Sequence, residues 1–93
     1  RIFQERRKKI STSALNRMLT RAVASSPLPR NKGKRLKLLY VTQTGINPPT
    51  FSFFVNDPKL VHFSYQRFLE NRLRDTFGFE GTPIHLRFLS RKP

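Results

Sequence analysis

The sequence lacks cysteine and tryptophan, and only 5 of its 93 residues are acidic. The absence of cysteine excludes disulfide bonds, thiol catalysis and cysteine-ligated zinc sites. No hydrophobic run approaches the roughly 20 residues that a membrane-spanning helix needs, and no signal-peptide pattern opens the sequence. The length fits one domain with a small core, to which nine phenylalanines contribute. We therefore expect a soluble, intracellular protein with one folded domain.

Positive charge dominates what is present, since 19 lysines and arginines give a net charge of +14. Residues 1–37 hold 12 of these cations and one acid, whereas residues 38–93 hold 7 cations and 4 acids. So uneven a charge calls for an anionic partner, because self-repulsion opposes compactness. Nucleic acid is the first expectation. An anionic membrane surface and an acidic protein domain are the alternatives.

Apolar spacing predicts a first helix over residues 12–24, with Ser11 as its N-cap and the segment 25–29, which contains two prolines, as its end. A second helix is predicted from Pro58 to Phe77, ended by Gly78. The apolar stripe of the first helix repeats at i, i+3, i+4 and i+7 and consists of Leu15, Met18, Leu19 and Ala22.

Alternating apolar residues predict three strands, at residues 36–42, 50–55 and 84–88. In the first, we expect Leu36, Leu38 and Tyr40 to share one face. In the second, Phe51, Phe53 and Val55 are expected to face the core, with Phe54 on the opposite side. The predicted class is α+β: an α-β-β-α-β sandwich with a three-stranded, mainly antiparallel sheet and both helices on one face.

The residues needed for catalysis are missing. There is no G-x-x-x-x-G-K-[ST] phosphate loop, because the four glycines are widely spaced. His62 and His85 have no cysteine or histidine partner at metal-ligand spacing, and the acids form no carboxylate pair. We therefore expect no enzyme activity, no catalytic residue, no metal and no cofactor in this chain.

The candidate RNA-binding residues are cations in three places. The run at residues 6–9 either contacts phosphate or forms a solvated helix end. A second group surrounds Gly33, and two further residues alternate outward on the third strand. The full set is Arg6, Arg7, Lys8, Lys9, Arg30, Lys32, Lys34, Arg35, Lys37, His85 and Arg87.

Residues 78–81 match the G-x-x-G loop that clamps nucleic-acid backbone in KH domains. Here, however, the motif lies between a predicted helix and a strand, and Glu80 would face an approaching phosphate. We interpret it as a helix C-cap followed by a turn.

Several longer segments resemble the C-terminal KH-like domain of the Der (EngA) GTPases. The similarity extends from about Ile10 to Phe88. Its motifs are Thr42-Gln43, Pro48-Pro49-Thr50-Phe51, Phe54-Val55-Asn56-Asp57-Pro58, Phe63-Ser64-Tyr65, Leu69-Glu70-Asn71 and Phe77-Gly78-Phe79-Glu80-Gly81-Thr82-Pro83-Ile84, with Ile10-Ser11-Thr12-Ser13 and Leu15-Asn16-Arg17 in the opening helix.

The resemblance implies a KH-like domain over residues 10–93, with a short basic C-terminal tail. Residues 1–9 would then be the end of a preceding GTPase domain and the junction. The longer protein would be a ribosome-assembly factor that acts on the large subunit, with GTP and Mg²⁺ bound by GTPase domains outside this sequence. The resemblance also implies a bacterial cytoplasmic location, or the chloroplast stroma if the protein is organellar.

Two functions stay open at this stage. In the first, the domain contacts large-subunit ribosomal RNA during ribosome biogenesis. In the second, it docks on the GTPase domains of the same chain and reports their nucleotide state. At the junction where a KH domain carries its G-x-x-G loop, this sequence has Asn56-Asp57-Pro58. This departure favours recognition of RNA shape and backbone over the reading of a base sequence. No membrane and no small-molecule substrate are expected as partners.

Overall fold

A computed structural model of the chain describes residues 9–25, 30–31, 33–79 and 81–90. Helix α1 spans Thr12–Ser25, close to its predicted bounds. Ser11 Oγ accepts a hydrogen bond of 3.2 Å from the backbone N–H of Ala14, as its role as the N-cap requires. All members of the predicted apolar stripe are buried, so this helix prediction is confirmed.

The main sheet has three strands in the order β3 (Leu38–Ile46), β4 (Pro49–Val55) and β5 (His85–Ser90). β3 runs antiparallel to β4, with the cis Asn47–Pro48 peptide in the turn between them. β5 runs parallel to β4, which requires a crossover, and helix α2 (Phe63–Phe77) lies in that connection. Buried side chains of both helices and of the sheet form one core. The α+β, KH-like class is confirmed, with a mixed sheet.

The central strand β4 supplies the middle of the core. Phe51, Phe53 and Val55 are fully buried, whereas Phe54 is half-buried on the other side. The Phe53 ring stacks on Phe88 of β5, with 5.2 Å between ring centroids. The predicted orientation of this strand is therefore confirmed, and aromatic pairing joins it to its parallel neighbour.

The predicted facing of the first strand is wrong beyond Leu38. The pairing with β4 shifts register between Leu38 and Tyr40. As a result, Tyr40 is 39% exposed, whereas Val41 is fully buried. An extra residue in one strand reverses the facing of the residues that follow it, so strict alternation could not predict this face. The strand also begins later and ends later than predicted, at Leu38 and Ile46.

The predicted long second helix is divided into two pieces. A 3-10 turn spans Pro58–Leu60 and is capped by Asp57, whose carboxylate accepts from the N–H of Lys59 at 3.1 Å. Val61 and His62 are then extended, and α2 begins at Phe63. The interruption still lets Leu60 and Val61 enter the core. The C-terminal end was predicted correctly, since Gly78 adopts φ +76° after Phe77.

The free edge of β3 is covered by α1. The Asn16 side chain donates to the carbonyl of Val41 at 3.0 Å and accepts from the N–H of the same residue at 3.1 Å. Both backbone groups of this edge residue are thereby satisfied, which removes a place where another strand could pair.

Neither helix among the described residues has the length and hydropathy that a membrane-spanning helix requires.

Candidate nucleic-acid interface

The basic segment before β3 forms a short hairpin. β1 (Arg30–Asn31) pairs antiparallel with β2 (Lys34–Arg35). The connection between them is two residues long, and Gly33 has φ +80°, a left-handed conformation that such turns demand. The candidate residues around Gly33 therefore belong to a hairpin, which fixes the spacing of their backbone positions. We call residues 30–37 the basic hairpin.

The basic hairpin presents its positive charge to solvent. Lys34, Arg35 and Lys37 are exposed, and their side chains form no hydrogen bond or ion pair within the described part of the chain. Leu36, between them, is fully buried and anchors the segment in the core. These three cations are therefore exposed without an acidic partner among the described residues, on a segment that Leu36 holds to the core. Such a surface suits an anionic partner.

Asn56 ties the base of the hairpin to the end of β4. Its amide nitrogen donates to the carbonyl of Arg35 at 3.0 Å, and its Oδ1 accepts from the N–H of Lys37 at 2.7 Å. Its own N–H donates to the carbonyl of Lys37 at 3.2 Å. In the sequence, Asn56 appears only as the first residue of the junction Asn56-Asp57-Pro58. A short polar side chain at a strand end is too common a signal to reveal this role.

We predict that Asn56→Ala loosens the basic hairpin without unfolding the domain. Loss of two side-chain hydrogen bonds at an exposed position should lower the free energy of unfolding by about 1–2 kcal/mol. Hydrogen exchange at the Lys37 amide should accelerate, because its acceptor is removed. Asn71→Ala is the matched control, since Asn71 is exposed on α2. Equal exchange rates at Lys37 in both variants would contradict the anchoring role.

Two other predicted site residues, His85 and Arg87, lie on the sheet face opposite the core. They pair with Thr50 and Ser52 of β4, and paired residues share a face. The same face carries Tyr40 and Phe54, which pair across the strands and stack with 4.6 Å between ring centroids. His85 and Arg87 are exposed. The structure thus places them on the same sheet face as this aromatic pair, which we call the outer sheet face.

Lys9 is separated from the basic hairpin. Its Nζ donates to the carbonyl of Gln43, at 3.5 Å. Gln43 is six residues along the chain from Lys37, or roughly 20 Å at the rise of an extended strand. Lys9 and the basic hairpin therefore do not form one cluster. Of the remaining candidates, Arg6, Arg7, Lys8 and Lys32 lie outside the described residues, as does the side chain of Arg30.

Arg74 has a structural role, because its guanidinium binds other groups of the domain. It forms an ion pair of 2.9 Å with Glu70, one turn earlier on α2. Its guanidinium also donates to the carbonyls of Phe79 at 2.9 Å and Thr82 at 2.8 Å. These contacts hold the segment that contains Gly78 and Gly81, both at positive φ. The described part of residues 78–81 thus has the geometry of a helix cap and turn.

The described residues contain no group of three or more histidine, cysteine, aspartate or glutamate side chains that could hold a metal ion.

Burial raises the pKa of the Tyr65 phenol, whose hydroxyl has no hydrogen-bond partner among the described residues. Its ring packs against Phe68, with centroids 5.3 Å apart. Tyr65 therefore contributes to the core, and the charges of the surface cations dominate the electrostatics of the site.

Comparison with known proteins gives one consistent result. The family described as "KH-domain-like of EngA bacterial GTPase enzymes, C-terminal" matches residues 9–88. GTPase Der of Macrococcus caseolyticus is 59% identical over 83 residues, covering 89% of this chain and 19% of the relative. The Halalkalibacterium halodurans GTPase Der is 63% identical over 78 residues, covering 84% and 18%. That of Streptococcus thermophilus is 53% identical over 92 residues, covering 99% and 21%. The chain thus spans about a fifth of the length of these relatives.

Proposed function

Because this chain belongs to the family of KH-like domains that form the C-terminal part of EngA (Der) bacterial GTPases, we propose that it binds large-subunit ribosomal RNA during ribosome assembly. The observation that carries the proposal is the basic hairpin, whose exposed cations have no acidic partner among the described residues. Lysine and arginine contacts to phosphate position a protein on RNA without selecting a base sequence. Recognition of RNA backbone and shape is the mode that such a surface supports.

The support for RNA comes from geometry as well as from charge. The hairpin is held to the domain by Leu36 and by Asn56. Little conformational entropy of this segment is therefore lost on binding. On the outer sheet face, Arg87 adds a positive charge and His85 an imidazole to the face that carries the Tyr40–Phe54 pair. In the full protein, GTP and Mg²⁺ would be bound by other domains, and the location would be the bacterial cytoplasm.

A second candidate function is docking on the GTPase domains of the same protein. Phe63, the first residue of α2, is 70% exposed, and aromatic side chains are enriched at protein–protein interfaces. Arg67 lies over its ring, 5.5 Å from the centroid. This surface contains none of the residues of the basic hairpin, so both functions can belong to one domain.

The two functions are separated by a direct binding experiment. The 93-residue chain is titrated with fragments of bacterial large-subunit ribosomal RNA transcribed in vitro, and with an unrelated structured RNA of equal length. RNA binding predicts saturable association with a ribosomal fragment that weakens as salt rises. Binding that is absent for every ribosomal fragment would overturn the RNA proposal and leave docking on the GTPase domains.

We predict that the isolated chain neither binds nor hydrolyses GTP. The physical reason is the missing phosphate loop, whose backbone N–H groups would hold the phosphates of the nucleotide. Isothermal titration calorimetry with GTP and Mg²⁺ measures this directly, and inorganic phosphate serves as the control for nonspecific attraction to the cations. Saturable GTP binding at micromolar concentration would contradict the prediction.

A further inference from the structure

A cleft of about 210 Å³ lies between the two helices and is lined by three arginines. Arg17 and Arg21 come from α1, where they are one turn apart and therefore on the same side of the helix. Arg72 reaches the cleft from α2. Arg72 is more than fifty positions from both other arginines in the sequence, and only the packing of α1 against α2 brings the three together.

The guanidinium of Arg72 has a hydrogen-bond donor without a partner. Its Nε is buried and makes no hydrogen bond to any described residue. A buried donor left unsatisfied is costly, and native structures usually supply it with a protein group, a water or a ligand. Arg72 lines the cleft, so a ligand bound there would lie against the side chain that carries this unsatisfied donor.

The rest of the cleft is compatible with an anion. Arg17 donates to Ser13 Oγ at 3.1 Å, whereas Arg21 has no hydrogen bond or ion pair within the described part of the chain. Thr76 adds a hydroxyl, and the apolar part of the lining comes from Ala14, Met18 and Phe77. Asp75 is exposed, does not line the cleft and pairs with none of the three arginines within 4.0 Å among the described residues. The positive charge of the cleft is therefore not compensated by any described acid within ion-pair distance.

We propose that this arginine cleft binds a backbone phosphate of RNA. A phosphate carries oxygens that can accept from the Nε and Nη groups of one guanidinium in parallel, and arginine is the side chain suited to that geometry. Arg21 would approach the same phosphate from α1. The proposal rests on the proposed RNA-binding function and deepens it, because it adds a contact point on the helices that is separate from the basic hairpin. Two separate contact points fix the orientation of a domain on its RNA.

Two measurements on the 93-residue chain test the cleft. The first follows the Nε–Hε resonance of Arg72 by NMR during titration with inorganic phosphate, with sodium chloride at equal ionic strength as the control. A saturable shift with phosphate alone is expected. The second measures affinity for a ribosomal RNA fragment that the unaltered chain binds. Arg72→Gln should weaken binding roughly tenfold and Arg21→Gln roughly fivefold, each with a salt slope smaller by about 0.7–0.9.

Arg67→Gln is the matched control, because Arg67 is exposed on the same helix as Arg72 and lines none of this cleft. It should change affinity by less than about twofold, as expected for a cation without a phosphate contact. Thermal unfolding followed by circular dichroism checks that each variant folds. Arg21 is exposed, so Arg21→Gln keeps the test decisive even if Arg72→Gln fails to fold.

The outcomes separate this inference from the function on which it rests. If substitutions in the basic hairpin weaken RNA binding while Arg21→Gln and Arg72→Gln match Arg67→Gln, the cleft assignment is wrong and the RNA-binding function stands. If the chain binds no RNA fragment, both are wrong. An acidic peptide that shifts the Arg72 Nε–Hε resonance at a lower concentration than inorganic phosphate does would overturn the assignment in favour of an acidic protein surface.

Discussion

Phe53→Ala should lower the free energy of unfolding by about 3–5 kcal/mol, the usual range for removing a buried phenylalanine. Phe53 is fully buried in the central strand and stacks on Phe88 at 5.2 Å. The substitution leaves a cavity between β4 and β5, and a core this small has few neighbouring side chains that can fill it. Because small domains are only marginally stable, the variant should be largely unfolded in low concentrations of urea. Urea denaturation followed by circular dichroism gives the value.

Phe54→Ala is the control for this prediction. It removes the same side chain from the adjacent position of the same strand, but Phe54 is half-buried on the outer sheet face and its ring stacks on Tyr40. The expected loss of unfolding free energy is about 1–2 kcal/mol, because this substitution removes less buried apolar area and leaves no closed cavity. A loss below about 1 kcal/mol for Phe53→Ala, outside the large-to-small range, would mean that β4 faces the other way.

The second large effect is expected on RNA affinity. Replacing Arg30, Lys32, Lys34 and Arg35 together by Gln should leave the fold intact, because buried Leu36 and the hydrogen bonds of the Asn56 side chain are retained. If each cation neutralises one phosphate, the slope of log K against log salt should shrink by about 3–4 units, and affinity near ~0.1 M salt should fall roughly 10²–10³-fold. Affinities measured at several salt concentrations provide both numbers.

A matched pair of double variants tests whether position or total charge causes the loss. Lys34→Gln with Arg35→Gln removes two exposed cations from the hairpin, whereas Lys59→Gln with Arg67→Gln removes two exposed cations elsewhere. Arg74 is unsuitable as a control, because it holds the carbonyls of Phe79 and Thr82. The hairpin pair should reduce the salt slope by about 1.5–2 units and the control pair by much less.

Equal losses for the two pairs would show that net charge, and not the hairpin, determines the affinity. No loss for the hairpin quartet would contradict the RNA-binding role of this segment and favour docking on the GTPase domains. In that case the exposed Phe63 side chain becomes the first position to substitute in an assay with the full-length protein.

Several features of the domain were predictable because their causes are local. The α1 stripe repeats at helical spacing, and β4 alternates large apolar residues with a period of two. Gly78 stands where a helix must end with a positive φ. The concentration of cations in residues 1–37 is a property of composition. Each of these signals can be read directly from the sequence, so the sequence alone determined the class of the fold and the sign of the chain's own net charge.

Other features depend on contacts between distant segments. The register shift after Leu38 is set by the pairing of β3 with β4, and the break at Val61 and His62 lets a 3-10 turn and α2 both reach the core. Asn56 binds backbone groups 19 and 21 residues away. In each case the residues have ordinary local preferences, and the energy that selects the conformation comes from packing and hydrogen bonds formed only in the folded chain.

The functional surfaces divide in the same way. That the chain carries an excess of arginine and lysine follows from its sequence, since formal charge does not depend on folding. Which cations lie close together was decided by tertiary structure. Lys9 lies beside Gln43, apart from the basic hairpin. Arg72 lines one cleft together with Arg17 and Arg21. The physical reason is that salt screens the interaction between charges over roughly 8 Å at physiological ionic strength, and distances that short between remote residues exist only after the helices have packed.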